Sequence, residues 1–201
     1  MTNPSEHPII FQTKMIQAYQ NGRKNQTRRT RGLELANSDP NRFQFVEVKN
    51  GIFVFTQHLY RGGWINVEFR CPYGKPGDYL WFKETRCVKK DATQSEIECG
   101  HFTYKADDEE NLWIPYLGYK LLPSLFMPRY AARYHHIPII SIIPQRIQEI
   151  TPKDVMGEGI ITEGIKGYYA FRDLIKSIKG EQAWDHNFWF WRIEFPFFKQ
   201  E

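Results

Sequence analysis

The chain of 201 residues carries 27 Lys and Arg against 23 Asp and Glu, a net charge of +4. That length fits one large domain or two small ones, and the basic excess is mild rather than histone-like. A hydrophobic content of 41% with 15 Phe, 11 Tyr and 6 Trp excludes a globally disordered chain, and no apolar run approaches the roughly 18 to 20 residues of a membrane span.

Met1 to Pro8 lacks the basic-then-apolar layout of a signal peptide. Cys71, Cys87 and Cys99 cannot all pair, so a secreted disulfide framework is excluded and a cytoplasmic protein without a membrane partner is expected. No repeat or Gly/Ser/Pro-rich linker divides the chain. One domain over 1–201 is expected, with insertions at about 33–70 and 89–129.

Pro8-Ile9-Ile10-Phe11 suits a first strand. Thr13 is placed to cap a helix from Lys14 to Asn21 with Met15, Ile16 and Tyr19 inward, and Gly22 stands at its C-terminal cap. Strands are predicted from Phe43 to Val48, Ile52 to Gln57 and Trp64 to Arg70. Asn50-Gly51 between the first two predicts a type I′ hairpin, whose central residues both need positive φ. The turn Gly74 to Asp78 feeds a strand from Tyr79 to Val88, and a short strand is predicted from His101 to Ala106. Leu112 to Arg129 reads as irregular, with three prolines, and Ile137 to Ile150 as edge or bulged strands. Thr151-Pro152-Lys153-Asp154 is a helix start. A second helix from Tyr168 to Ile178 aligns Phe171, Leu174, Ile175 and Ile178, and a strand from Phe188 to Phe195 follows. Many short strands and few short helices predict an α+β domain around a β-barrel.

Arg23, Lys24, Arg28, Arg29 and Arg31 fall within nine positions that hold no acid. Such a segment attracts phosphate, with Tyr60 or Trp64 available to stack a base; the plainer reading is a solvated turn. Lys24 and Thr27 share a face if the first helix continues for a turn, and an uncharged lysine beside a hydroxyl can activate it. Alternatively Lys24 binds phosphate and Thr27 bonds backbone. Asp78 is expected to bond amides of its turn, and Glu84 either to point to solvent or, the favoured reading, to pair with an Arg such as Arg129, which could instead hold a phosphate. Cys99-Gly100-His101 has poor metal-ligand spacing, so buried or half-buried free thiols and no metal site are expected. His135-His136 reads as a polar strand end, and Trp184, Trp189 and Trp191 as core.

Taken in order, these pieces resemble the ASCH group of the PUA-like superfamily. They are Gly22-Arg23-Lys24-x-x-Thr27-x-Arg29, Gly74-x-x-Gly77-Asp78, Ile150-Thr151 with Glu158-Gly159-Ile160, and Trp189-x-Trp191-x-Ile193-x-Phe195. Met127-Pro128-Arg129 and Trp184-Asp185-x-Asn187 are similar to phage and prophage ASCH proteins. Asn25 departs from the pattern, where Thr is usual. The resemblance implies a mixed β-barrel with flanking short helices and a cleft beside the first helix. It also implies binding of a nucleoside, RNA or modified nucleic acid. Some members hydrolyse N4-acylated cytidine and others cleave RNA. Motif by motif, the Lys/Thr/Glu triad of the ASCH amidohydrolases falls on Lys24, Thr27 and Glu158. Arg23 and Arg29 would then hold ligand, with no metal or organic cofactor. The alternatives are a non-catalytic reader of RNA or modified DNA, in which Glu158 is a solvated helix-end acid, a ribonuclease, and, least favoured, an assembly role.

Overall fold

A computed structural model describes residues 3–110, 112, 117–162 and 164–198. In chain order its first elements are β1 (Glu6–Ile10), α1 (Thr13–Gln20), β2 (Gln26–Arg29), α2 (Glu34–Ser38), β3 (Phe43–Lys49), β4 (Ile52–His58), β5 (Trp64–Phe69) and β6 (Tyr79–Lys83). There follow β7 (Arg86–Lys89), α3 (Gln94–Glu98), β8 (Thr103–Tyr104), β9 (Tyr119–Leu122), β10 (Ile137–Pro138) and β11 (Ser141–Arg146). The helices α4 (Pro152–Gly157), α5 (Gly164–Lys179) and α6 (Glu181–Asp185) then lead to β12 (Trp189–Glu194).

The class is α+β. The described strands form four three-stranded sheets, ordered β1-β6-β10, β11-β12-β2, β3-β4-β5 and β8-β7-β9. Among the described strands only β1 and β6 run parallel. Pairing among the described strands does not close into a ring, but residues of the first three sheets share one core. One segment carries the chain between sheets: Ile139 N donates to Asp78 O, and the next residue, Ile140, donates to Glu194 O.

Local chemistry explains most elements. Asn50 and Gly51 have φ of 53° and 76°, as a type I′ turn between β3 and β4 requires. Thr151 and Asp154 form a reciprocal capping box with Pro152 at the start of α4. Gly22, at φ +64°, follows α1 as expected, whereas Thr13 begins that helix rather than capping it; Gln12 is the cap residue and makes no side-chain cap bond.

Several expectations need correction. The strand predicted from Tyr79 to Val88 is two strands, interrupted where Glu84 is buried against Arg133. His101 to Ala106 gives only the two residues of β8 before a 3-10 turn. β9 lies in the proline-containing stretch expected to be irregular, and part of that stretch lies outside the described residues. α5 begins at Gly164; Phe171 and Ile175 are buried, Leu174 is half-buried and Ile178 is exposed.

The main core gathers Ile9, Phe11, Ile16, Tyr19, Phe53, Phe55, Phe82, Trp189, Trp191 and Phe195. A second joins Ile147, Val155, Phe171, Ile175, Trp184 and Phe190. β12 is therefore buried on both faces, with Trp189, Trp191 and Ile193 toward the first core and Phe190 toward the second. No helix among the described residues is long and apolar enough to cross a membrane.

Candidate functional site

β2 is an outer strand of its sheet, and the end of α4 closes on the segment that leads into it. Lys24 and Glu158 form an isolated antiparallel bridge, and Asn25 N donates to Gly157 O at 3.0 Å. Two glycines permit this approach. A Cβ on Gly157 would lie 2.7 Å from Asn25 Oδ1; one on Gly159, where φ is +90°, would lie 2.7 Å from Ala18 Cβ. Glu158 is thus fixed against residues 134 positions earlier in the chain.

Its carboxylate is shared by two cations. Lys24 Nζ donates to Glu158 Oε2 and to the Glu158 backbone oxygen, each at 3.0 Å. Arg28 Nη1 donates to Oε1 at 2.9 Å, and Arg28 Nη2 to Gln145 Oε1 at 2.8 Å. Asp154 extends the network, with Oδ2 3.5 Å from Arg28 Nη2 and Oδ1 3.3 Å from Arg192 Nη1. Lys24 is 0% exposed and Glu158 is 8% exposed. Burial pushes the Lys24 amine below the ordinary lysine range; Glu158 opposes this and the Arg29 and Arg28 charges reinforce it. For Asp154 burial acts upward, but the bonds from Thr151, with Arg28 and Arg192, bring its carboxyl below the usual range.

Thr27 pairs with Ile193 and so faces the main core, opposite to Arg28. Its hydroxyl is buried and makes no hydrogen bond with any described residue. Lys24 Nζ lies 5.5 Å from the centroid of Phe11, a member of the main core. The expected helical face shared by Lys24 and Thr27 is corrected: α1 ends at Gln20, and Thr27 is on a strand. The structure therefore puts Lys24 and Glu158 in direct contact, while Thr27 bonds to neither. Glu158 is not the solvated helix-end acid of the plainer reading.

The basic segment is also not a solvated turn. Lys24 and Arg28 are buried, Arg23 and Arg29 are half-buried, and Arg31 is exposed. Arg23 reaches Gly159 O at 3.4 Å, and Arg29 donates to Ile10 O while stacking 5.2 Å over Phe11. Tyr60 sits against Arg42 and Trp64 against His58, rather than against this segment. Glu84 pairs with Arg133 through both oxygens at 2.9 Å, not with Arg129, whose guanidinium grips Glu6. Asp78 accepts from the Ser5 and Lys75 amides, as its turn position suggested.

Cys71 is half-buried, its thiol pushed up to about 12 by burial; Cys87 is buried and Cys99 exposed, which corrects the expectation for the last. Glu6, His135 and His136 bring ligand atoms within 4.8 Å of one another. His136 Nδ1 lies 2.8 Å from His135 Nδ1, and His136 Nε2 lies 3.6 Å from Glu6 Oε1.

Gln145, Asp154, Arg192 and Arg133 were missed from sequence. Asp154 was legible only as a capping acid, and nothing local marks the other three as partners of distant charges. A groove of about 620 Å³ opens beside the network, lined by Arg23, Gln26, Lys153, Asp154, Arg192 and Phe197 among others. Gln26 and Arg192 lie on the face of the sheet opposite Thr27. No family model, curated protein or solved structure matches the chain.

Proposed function

We propose that this chain is an ASCH-type, PUA-like protein that binds a nucleoside or nucleic-acid component at the free edge of β2. There it hydrolyses an amide on the base, as in N4-acylcytidine. One observation carries the reading: a buried amine held on a carboxylate, three residues before a buried hydroxyl with no partner among the described residues. Native structures rarely leave such a hydroxyl idle, and catalytic groups are among the exceptions. Three sheets around one core support the barrel-like part of the reading.

In this scheme Thr27 Oγ attacks the acyl carbon and its proton passes to neutral Lys24. The tetrahedral adduct collapses, the C–N bond breaks, and the proton reaches the leaving amine from Lys24 through Glu158. Water then cleaves the Thr27 ester, releasing the carboxylic acid and restoring the hydroxyl. Arg28 holds Glu158 in position, and Arg23 and Arg29 serve the ligand. The lowered affinity of Lys24 for its proton favours the neutral amine that the first step needs.

A second reading, a non-catalytic reader, is favoured by the groove, which opens on the face away from Thr27 and carries Arg23, Lys153 and Arg192 beside Phe197. N4-acetylcytidine followed by absorbance separates the two. Conversion to cytidine is expected, falling by about 10² or more in Lys24→Met. Binding without conversion by the wild type transfers the reading to the reader, and cleavage of RNA in its place transfers it to a ribonuclease.

A further inference from the structure

Arg86, the first residue of β7, is 4% exposed, yet its guanidinium makes no hydrogen bond and no ion pair with any described residue. Nε and Nη1 are both sealed from solvent without a partner. The other buried cations differ: Lys24 and Arg28 hold Glu158, and the partly buried Arg133 holds Glu84 and Asp107. Glu84, two residues away, gives both its oxygens to Arg133 and makes no ion pair with Arg86. What surrounds Arg86 is aromatic. Its Cζ lies 4.7 Å from the centroid of Phe102, and its electrostatic neighbours are Tyr130 and Tyr104. Two buried guanidinium donors without an acceptor are unfavourable, and a bound anion would satisfy them.

We propose that Arg86 anchors an oxyanion site between β7, β8 and the 3-10 turn Arg129–Ala131, which takes the phosphate of a phosphorylated ligand. Phe102 backs the flat face of the guanidinium, which leaves its edges for oxygen acceptors; a planar fork of N–H donors suits phosphate. A phosphate carries up to two charges, more than a carboxylate brings to a desolvated cation. Tyr130, 63% exposed, stands at the rim, where a nucleotide base can stack. The site shares no residue with the Lys24–Glu158 edge and stands or falls independently of the hydrolase reading.

Thermal unfolding of the full chain tests it, with inorganic phosphate, cytidine 5′-monophosphate and cytidine titrated at constant ionic strength set with chloride. The wild-type Tm is expected to climb with phosphate and with the nucleotide but not with cytidine. Arg86→Met is expected to show no such climb and to start from an equal or higher Tm. Response to the nucleotide at tenfold lower concentration than to phosphate assigns the source as a nucleotide, and the reverse order assigns free phosphate. A flat wild-type Tm, or the same climb in Arg86→Met, overturns the proposal. Should that variant not fold, the wild-type Arg86 Nε–H resonance decides: movement on adding phosphate supports the site, and an unmoved signal overturns it.

Discussion

Glu158 and Glu84 are both buried carboxylates held by cations, and they are built for different ends. Glu84 gives both oxygens to one guanidinium, that of Arg133, in a closed fork that ties β6–β7 to the turn before β10. Glu158 divides its oxygens, one on Arg28 and one on Lys24, across the free edge of β2. The fork gives both Glu84 oxygens to one partner and leaves the buried donors of Arg86, two residues on, without one, whereas the divided carboxylate holds a lysine of weakened proton affinity. A buried ion pair alone is thus a poor marker of chemistry; the unsatisfied neighbour is the better one.

The largest expected effect that sharpens this contrast is Glu158→Gln. It strands two buried cations and is expected to destabilise by about 3–5 kcal/mol, measured as a lower denaturant midpoint. Glu84→Gln is expected to cost about 1–3 kcal/mol, because Arg133 keeps Asp107 at 2.8 Å and is partly exposed. Equal losses would mean that the two sites are alike.

Acidity separates the regions as well. The folded protein binds the Lys24 proton less tightly than the unfolded chain, so stability is expected to rise with pH from the depressed folded value up to the ordinary 10.5. Lys24→Met should abolish that rise. The two acids behave oppositely. Asp154, lowered, contributes stability above the ordinary 3.8 that is lost on acidification through its folded value. Glu84, raised chiefly by burial, loses stability as pH climbs from the ordinary 4.5 through its folded value. Denaturant midpoints across pH, with Asp154→Asn and Glu84→Gln as references, measure these slopes.

The smallest stability effect belongs to Thr27→Val. Replacing an unbonded buried hydroxyl by a methyl of the same shape is expected to leave stability unchanged or raise it by about 1 kcal/mol. A loss would mean that the hydroxyl has a partner.

Where structure follows from neighbours in the chain, the sequence was readable. Asn50-Gly51 needs only its own φ angles, and Thr151-Pro152-Lys153-Asp154 only its own side chains. Thr93 and Glu96 cap α3 by the same rule, so that helix was within reach and was overlooked. Long-range pairing was not readable. Nothing near Glu84 distinguishes Arg133 from Arg129, and Glu84 lies in the break between β6 and β7. The juxtaposition of Lys24 and Glu158 came from resemblance, since no spacing rule links residues 134 apart. The helical face assumed for Lys24 and Thr27 failed because the cap at Gly22 ends α1 before either residue.

Turnover of N4-acetylcytidine by Thr27→Val, read beside its melting temperature, tests the role of the β2 edge most directly. The expected result is a protein that melts at or above the wild-type temperature and no longer releases acetate. Acetate release at the wild-type rate from the folded variant would contradict a nucleophilic Thr27.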